Sequence, residues 1–198
     1  TQEDLSALAS SGELSQELGA IGIDHINVGG KAVDTTVVID QVEASNLISA
    51  GLDFGGDGLN DDVTLNVNAA AQGTHLSSSL KDLAKLGIDA VAVSGVDANG
   101  NPITGVNVDL ATDGLGNLAG LGGDLASLEL NLQHMSEGFD ENLSVTLNVD
   151  AADLSAVASG ALSQELGSIG IDHIDVGGAN VGSVGIDQVE AKIGRAHV

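Results

Sequence analysis

Asp4–Gly30 reads DLSALASSGELSQELGAIGIDHINVGG, and Asp153–Gly178 reads DLSAVASGALSQELGSIGIDHIDVGG, the same phrase with one residue removed. A more diverged copy, LSSSLKDLAKLGIDAVAV, runs from Leu76 to Val93, and the phrase VTLNVNAA at Val63 returns as VTLNVDAA at Val145. Self-similarity on this scale is the signature of a stacked architecture, in which one unit buries its apolar face only against its neighbours. Function is then to be sought on the surface of an array rather than in one cleft.

The internal pattern of the phrase sets the expected unit. Leu76, Leu80, Leu83 and Leu86 fall at spacings of four, three and three, which places them on one helical stripe. Gly87 supplies the stop. From Ile88 to Val93 the side chains alternate, Asp89, Val91 and Val93 on one face and Ala90 and Ala92 on the other, which reads as a strand. GID therefore marks a helix-to-strand corner. Its counterparts predict strands at Gly22–Val28 and Gly170–Val176, with Ile26, Val28, Ile174 and Val176 turned to the core. Further strands are expected at Val37–Asp40, Val106–Leu110 and the two VTLNV phrases, and further helices at Val42–Ala50 and within Leu115–Leu132. SGVDANGNPITG, with Asn-Gly at its tip, reads as a hairpin.

The expected fold class is α/β, a repetitive solenoid-like array of helix–strand units with short strands stacked along one side and their direction left open. Unit one covers 1–62, unit two 63–144 and unit three 145–191. Both ends are expected to cut through a unit. IGRAHV, Ile193–Val198, resembles the translation of a common sequencing-adapter oligonucleotide, so 192–198 is read as a scar outside the fold. Arg195 is the chain's sole arginine and lies within it.

The chain carries 29 acidic against 5 basic side chains, a formal charge of -24, with 20 Asp and 9 Glu among the acids. Such a surface repels nucleic-acid phosphates and anionic headgroups and recruits cations. With 42% apolar residues in periodic segments it is nonetheless able to bury a core. Two Phe and no Trp or Tyr leave that core to Leu, Ile, Val and Ala. No stretch reaches the roughly 18 apolar residues of a membrane span. The absence of Cys excludes disulfides and thiolate metal sites. No Cys, abundant Asp, 28 Gly and scarce Lys suit a bacterial secreted or surface protein, while a halophile's acidic surface is the competing explanation.

The phrases LKDLAKLGIDAVAV, LSQELGAIGIDHINV and DDVTLNV resemble the repeats of large bacterial secreted or surface proteins of the RTX-like calcium-binding adhesin type. The resemblance implies adhesion or matrix building outside the cell, with host or matrix surfaces and neighbouring repeats of the parent chain as partners. It also implies one-step export, with a signal beyond this C-terminal end.

Gly55–Val63, GGDGLNDDV, is similar to the nonapeptide that binds calcium in RTX rolls, where Gly55, Gly56 and Gly58 match. Asn60 stands where that motif wants Asp, and Asp62 where it wants an apolar residue. A looser calcium loop built on Asp57, Asn60, Asp61 and Asp62 is the metal expectation, because carboxylates so close repel unless bridged. A Gly-rich acidic turn is the plainer reading.

Asp97, Asn99 and Asn101 have the spacing of an EF-hand start, but Pro102 sits where that loop needs Gly, so the turn reading is preferred. Gly114, Gly116 and Ala119 spell a nucleotide fingerprint without the second strand it requires, and are read as a small-residue helix or loop. His25 and His173, beside Asp24 and Asp172, would pair or bind a metal. The plainer reading is solvent-facing histidines, as for His75 and His134.

No catalytic motif occurs. The expected function is a non-catalytic adhesive or spacer array on the cell surface, stiffened by calcium. The alternatives are an accessory repeat domain of a secreted hydrolase, or an acidic protein of a halophile.

Overall fold

The computed structural model describes residues 1–28, 36–55, 62–110, 125–135, 137–150, 153–158 and 160–177. Two short helices, α1 (Gln2–Ser10) and α2 (Gly12–Ala20), precede β1 (Thr36–Asp40) and α3 (Gln41–Ala50). Next come β2 (Asp62–Asn68), α4 (Ala69–Gln72), α5 (Leu80–Leu86) and β3 (Ala90–Ser94). The remainder is β4 (Gly105–Asp109), α6 (Leu125–His134), β5 (Gly138–Phe139), β6 (Ser144–Asp150), α7 (Leu154–Val157), α8 (Gly160–Ser168) and β7 (His173–Gly177).

The chain is a mixed α/β fold with parallel strands. One sheet has the order β1-β2-β3-β5 and the other β4-β6-β7. Every strand pair in them is parallel. Thr36 pairs with Asp62 and Thr64 with Ala90, each 26 residues on, so the first three strands keep a constant step. That register lines up Ile39, Leu65, Val91 and Phe139 in one apolar row and Val108, Leu147 and Ile174 in another. Period-two alternation puts these side chains inward, where all but half-buried Ile174 are buried. Helices α2, α3, α5, α6 and α8 pack in chain order, each against the next.

Four of these helices end in one device. Gly22, Gly51, Gly87 and Gly170 adopt φ of 84°, 72°, 88° and 90°, the left-handed region that only glycine enters at low cost. The next residue's N–H then reaches back to a leucine carbonyl. The pairs are Ile23 to Leu18, Leu52 to Leu47, Ile88 to Leu83 and Ile171 to Leu166, at 3.0–3.2 Å. Each glycine N–H also bonds the residue three before it, which completes a Schellman motif and satisfies the last carbonyls of the helix. Side-chain caps start α3 and α5. Asp40 and Glu43 form a capping box on α3, and Ser79 accepts from the Asp82 N–H on α5.

Several expectations change on contact with this arrangement. The helix expected from Leu76 starts at Leu80, because Ser79 caps it, although Leu76 is buried all the same. The strand expected at Gly22–Val28 is reduced to a single bridge, His25 to Asp53. The hairpin at SGVDANGNPITG is confined to one antiparallel bridge, Val96 to Pro102, and its flanking strands β3 and β4 do not pair. Gly95 at φ 124° bends the chain, and the Asp97 carboxylate gathers the N–H groups of Asn99 and Asn101 at 2.8 and 2.9 Å. This tight Asx turn carries the chain from one sheet to the other. The strands therefore fall into two sheets.

A Cβ on Gly87 would meet the Phe54 Cβ at 3.4 Å, whereas one on Gly51 meets nothing within 4 Å among the described residues. Gly51→Ala is expected to cost about 1–2 kcal/mol for the left-handed backbone alone. Gly87→Ala carries the same backbone penalty, and its Cβ meets Phe54 in ordinary van der Waals contact, so the two urea midpoints should fall by similar amounts. A much larger fall for Gly87→Ala would contradict the room beside Phe54 at this corner.

Candidate functional site

The residues that carry charge and polarity sit at the helix-to-strand corners and on the loops beside them. At two corners the GID aspartate makes a reciprocal pair with the first valine of a VTLNV strand. The Asp89 N–H donates to the Val63 carbonyl at 2.9 Å, and its Oδ2 accepts from the Val63 N–H at 2.8 Å. Asp172 and Val145 repeat this at 3.0 Å in both directions. The two phrases that recur in the sequence are thus bonded to one another. Burial pushes the Asp89 carboxyl above its ordinary value, the Val63 N–H draws it back, and the charges of Asp62 and Glu137 raise it again.

His25 and His75 are solvent-facing as expected, but neither stands alone. His25 Nδ1 lies 2.5 Å from Asp53 Oδ1, not on Asp24, and His75 Nε2 lies 3.2 Å from Asp109 Oδ2. Each pair braces an isolated parallel bridge, His25 to Asp53 and His75 to Asn107. Asp53 belongs to Gly51-Leu52-Asp53, a fourth corner of the GID type with Leu in place of Ile. The sequence signal for it was present in GLD after a helical stripe. The bond to Asp53 and its charge, with a smaller push from Asp24, raise the His25 pKa above 6.5. His173, exposed on β7, lies opposite Thr146.

Among the described residues, two surface grooves are well defined. The smaller, about 370 Å³, is lined by Gln41, Val42, Ser45, Asn46, Gln72 and Ser77. Its amides are spent on structure. Gln41 accepts from the Ser77 N–H and donates to Gln72, and Asn46 donates to the Ala9 carbonyl. The larger, about 520 Å³, lies over Thr64, Ala90 and Ala92 and is rimmed by Glu137, Asp140 and Glu141. Asn142 donates both its backbone N–H and its side chain to Asp140 at 2.9 Å, which holds that carboxyl below its ordinary value. Three carboxylates around one groove favour cations over anions at its mouth.

Of the expected calcium ligands, Asp57, Asn60 and Asp61 lie outside the described residues. Asp62 opens β2, exposed and paired with Thr36. The Gly114, Gly116 and Ala119 fingerprint also lies outside them. Among the described residues no group of three or more His, Asp or Glu side chains could hold a metal ion. Every buried side-chain nitrogen or oxygen among them has a hydrogen-bond partner. No described helix is long and apolar enough to cross a membrane. Set against family models, curated proteins and solved structures, the chain matches none.

Two outcomes follow from the corner chemistry. Asp89→Ala leaves the buried Val63 N–H unpaired and should cost about 1–3 kcal/mol, while Asp89→Asn retains an acceptor and should cost less. Because the folded Asp89 binds its proton more readily than the unfolded residue, its contribution to stability rises as pH falls through the window just above 3.8. Urea melts between neutral pH and that value should show Asp89→Asn lacking this component. For His25 the sign is the same, in a higher pH window. Its ion-pair contribution is fully present below 6.5 and is lost as pH rises through the raised folded value. An NMR titration should place His25 above 6.5 and return it towards 6.5 in Asp53→Asn, and an unmoved titration would contradict the pair.

Proposed function

We propose that this chain is a non-catalytic stretch of a solenoid-like array, a spacer and adhesive segment of a large extracellular bacterial surface protein. The observation that carries the reading is the constant register of β1, β2 and β3 together with helices that pack in chain order. A quasi-one-dimensional stack, in which each unit is completed by its neighbours, would give such contacts, and this supports the reading. An array of this kind acts mechanically. It projects surfaces over a distance and sums many weak contacts into strong attachment.

The acid coat gives the array its partners. A charge of -24 on 198 residues strains the compact state by self-repulsion, and divalent cations relieve it. Calcium at the Asp57–Asp62 loop is the specific form of this reading. There the ion would bridge carboxylates from Asp57, Asp61 and Asp62 with the Asn60 amide oxygen, and binding to the folded state alone would raise its stability. Outside the cell, where calcium reaches millimolar levels, the array would stiffen.

Thermal unfolding followed by circular dichroism tests the calcium arm. Millimolar calcium should raise the melting temperature more than sodium chloride at matched ionic strength. The Asp57→Asn, Asp61→Asn, Asp62→Asn triple variant should lose that difference. Equal rises with the two salts would mean screening alone, and would favour the acidic protein of a halophile.

A further inference from the structure

Ser11–Asp24, SGELSQELGAIGID, and Ser159–Asp172, SGALSQELGSIGID, differ at two positions, yet their apolar faces meet different fates. In the second segment Leu162, Ile169 and Ile171 are 0%, 2% and 5% exposed. In the first, the equivalent Leu14, Ile21 and Ile23 are 41%, 74% and 39% exposed. The sequence being nearly the same, the difference lies in what covers it.

The structure shows the cover at two places. Helix α6 packs on α8, the Phe139 N–H donates to the Ile169 carbonyl at 2.8 Å, and a Cβ on Gly170 would meet the Phe139 carbonyl oxygen at 3.4 Å and its Cβ at 3.5 Å. Helix α3 packs on α5, the Phe54 N–H donates to the Leu86 carbonyl at 2.9 Å, and a Cβ on Gly87 would meet the Phe54 Cβ at 3.4 Å. Phe54 and Phe139 are the chain's two phenylalanines, four and five residues past the ends of their helices. A Cβ on Gly22, like one on Gly51, meets nothing within 4 Å among the described residues, and what sets the Gly22 corner apart is the exposure of Ile21 and Ile23, since Leu52 beside Gly51 is buried.

We propose that the Leu14–Ile21–Gly22–Ile23 face is a docking surface for one further strand–helix–Phe unit of the kind formed by β1–α3–Phe54 and β4–α6–Phe139. The occupant places its phenylalanine N–H on the Ile21 carbonyl, as Phe54 does on Leu86 and Phe139 on Ile169. Its helix packs on α2 and so covers Leu14 and Ile21, as α6 packs on α8, where Leu162 and Ile169 are buried. The proposal rests on the array reading and adds to it the face, the occupant and the anchoring residue.

The chain has no cysteine, so single thiols report the face directly. Ile21→Cys and Ile169→Cys are made in the chain as it stands and in a chain extended by a second copy of residues 105–152 joined ahead of Asp4. That junction reproduces the one before Asp153. In the unextended chain Ile21→Cys should label fast and Ile169→Cys at least about tenfold slower. In the extended chain Ile21→Cys should slow by about the same factor, and Phe139→Asp in the added segment should restore its rate.

Undiminished labelling of Ile21→Cys in the extended chain, with Ile169→Cys still slow, overturns the proposal and leaves the array intact. Protection of Ile21→Cys that rises with concentration in the unextended chain also overturns it, because the occupant is then a second copy of the whole chain. Fast labelling of Ile169→Cys in the unextended chain would remove the internal example and, with it, both the proposal and the array reading.

Discussion

A helix that must hand its chain straight into a parallel strand has to end without leaving carbonyls bare, and this constraint governs the molecule. The left-handed glycine at Gly51, Gly87 and Gly170 reverses the chain within the width of one helical turn, and the following residue's N–H closes the helix behind it. The aspartate after the corner then finds the adjoining strand. At Asp89 and Asp172 it holds Val63 and Val145 by both backbone and side chain, which fixes register at the point where each ladder begins. A one-residue slip would break both bonds and turn Leu65 or Leu147 outward.

Once register is fixed, the thin aliphatic core follows. Parallel pairing without slippage stacks like on like, so Ile39, Leu65 and Val91 form a continuous row and Val106 and Val145 another. Branched side chains suit such rows, since each fills the space between identical neighbours above and below. The two phenylalanines sit where their backbone and Cβ run alongside a residue lacking Cβ, at Gly87 and Gly170. Charge is excluded from these layers and accumulates on loops and rims, where Glu43 is a buried exception. Its carboxylate is held by the Ser6 and Ser10 hydroxyls of α1 and by the Asp40 N–H, tying the first helix to α3.

The corners were legible in the sequence because their chemistry is local. Leu at helical spacing, then Gly, then an apolar residue and Asp, admits few other conformations, and Gly22, Gly87 and Gly170 could be named from it. Gly51 escaped because Leu52 replaces the usual isoleucine, and with it went Asp53 and the partner of His25. What was not legible depends on long-range pairing. Nothing near Asp97 states that β3 and β4 belong to different sheets, and a tight Asx turn looks the same whether or not its flanks pair. Alternation placed His25 outward without revealing that a carboxylate from the next corner waits there. Of the expected calcium loop, only Asp62 falls within the described residues, on the first residue of β2.

The central claim is that each corner is stabilised by the unit before it. Native-state hydrogen exchange at the amides of Ile23, Ile88 and Ile171 reads this directly, since all three close the same Schellman motif on a leucine carbonyl. Local opening is easier where fewer apolar contacts must break. Ile23, on the exposed corner, should exchange about tenfold or more faster than Ile88 and Ile171, which are buried. Equal protection at all three would show that the corner stands by its own hydrogen bonds, and would contradict a fold held together by its neighbours.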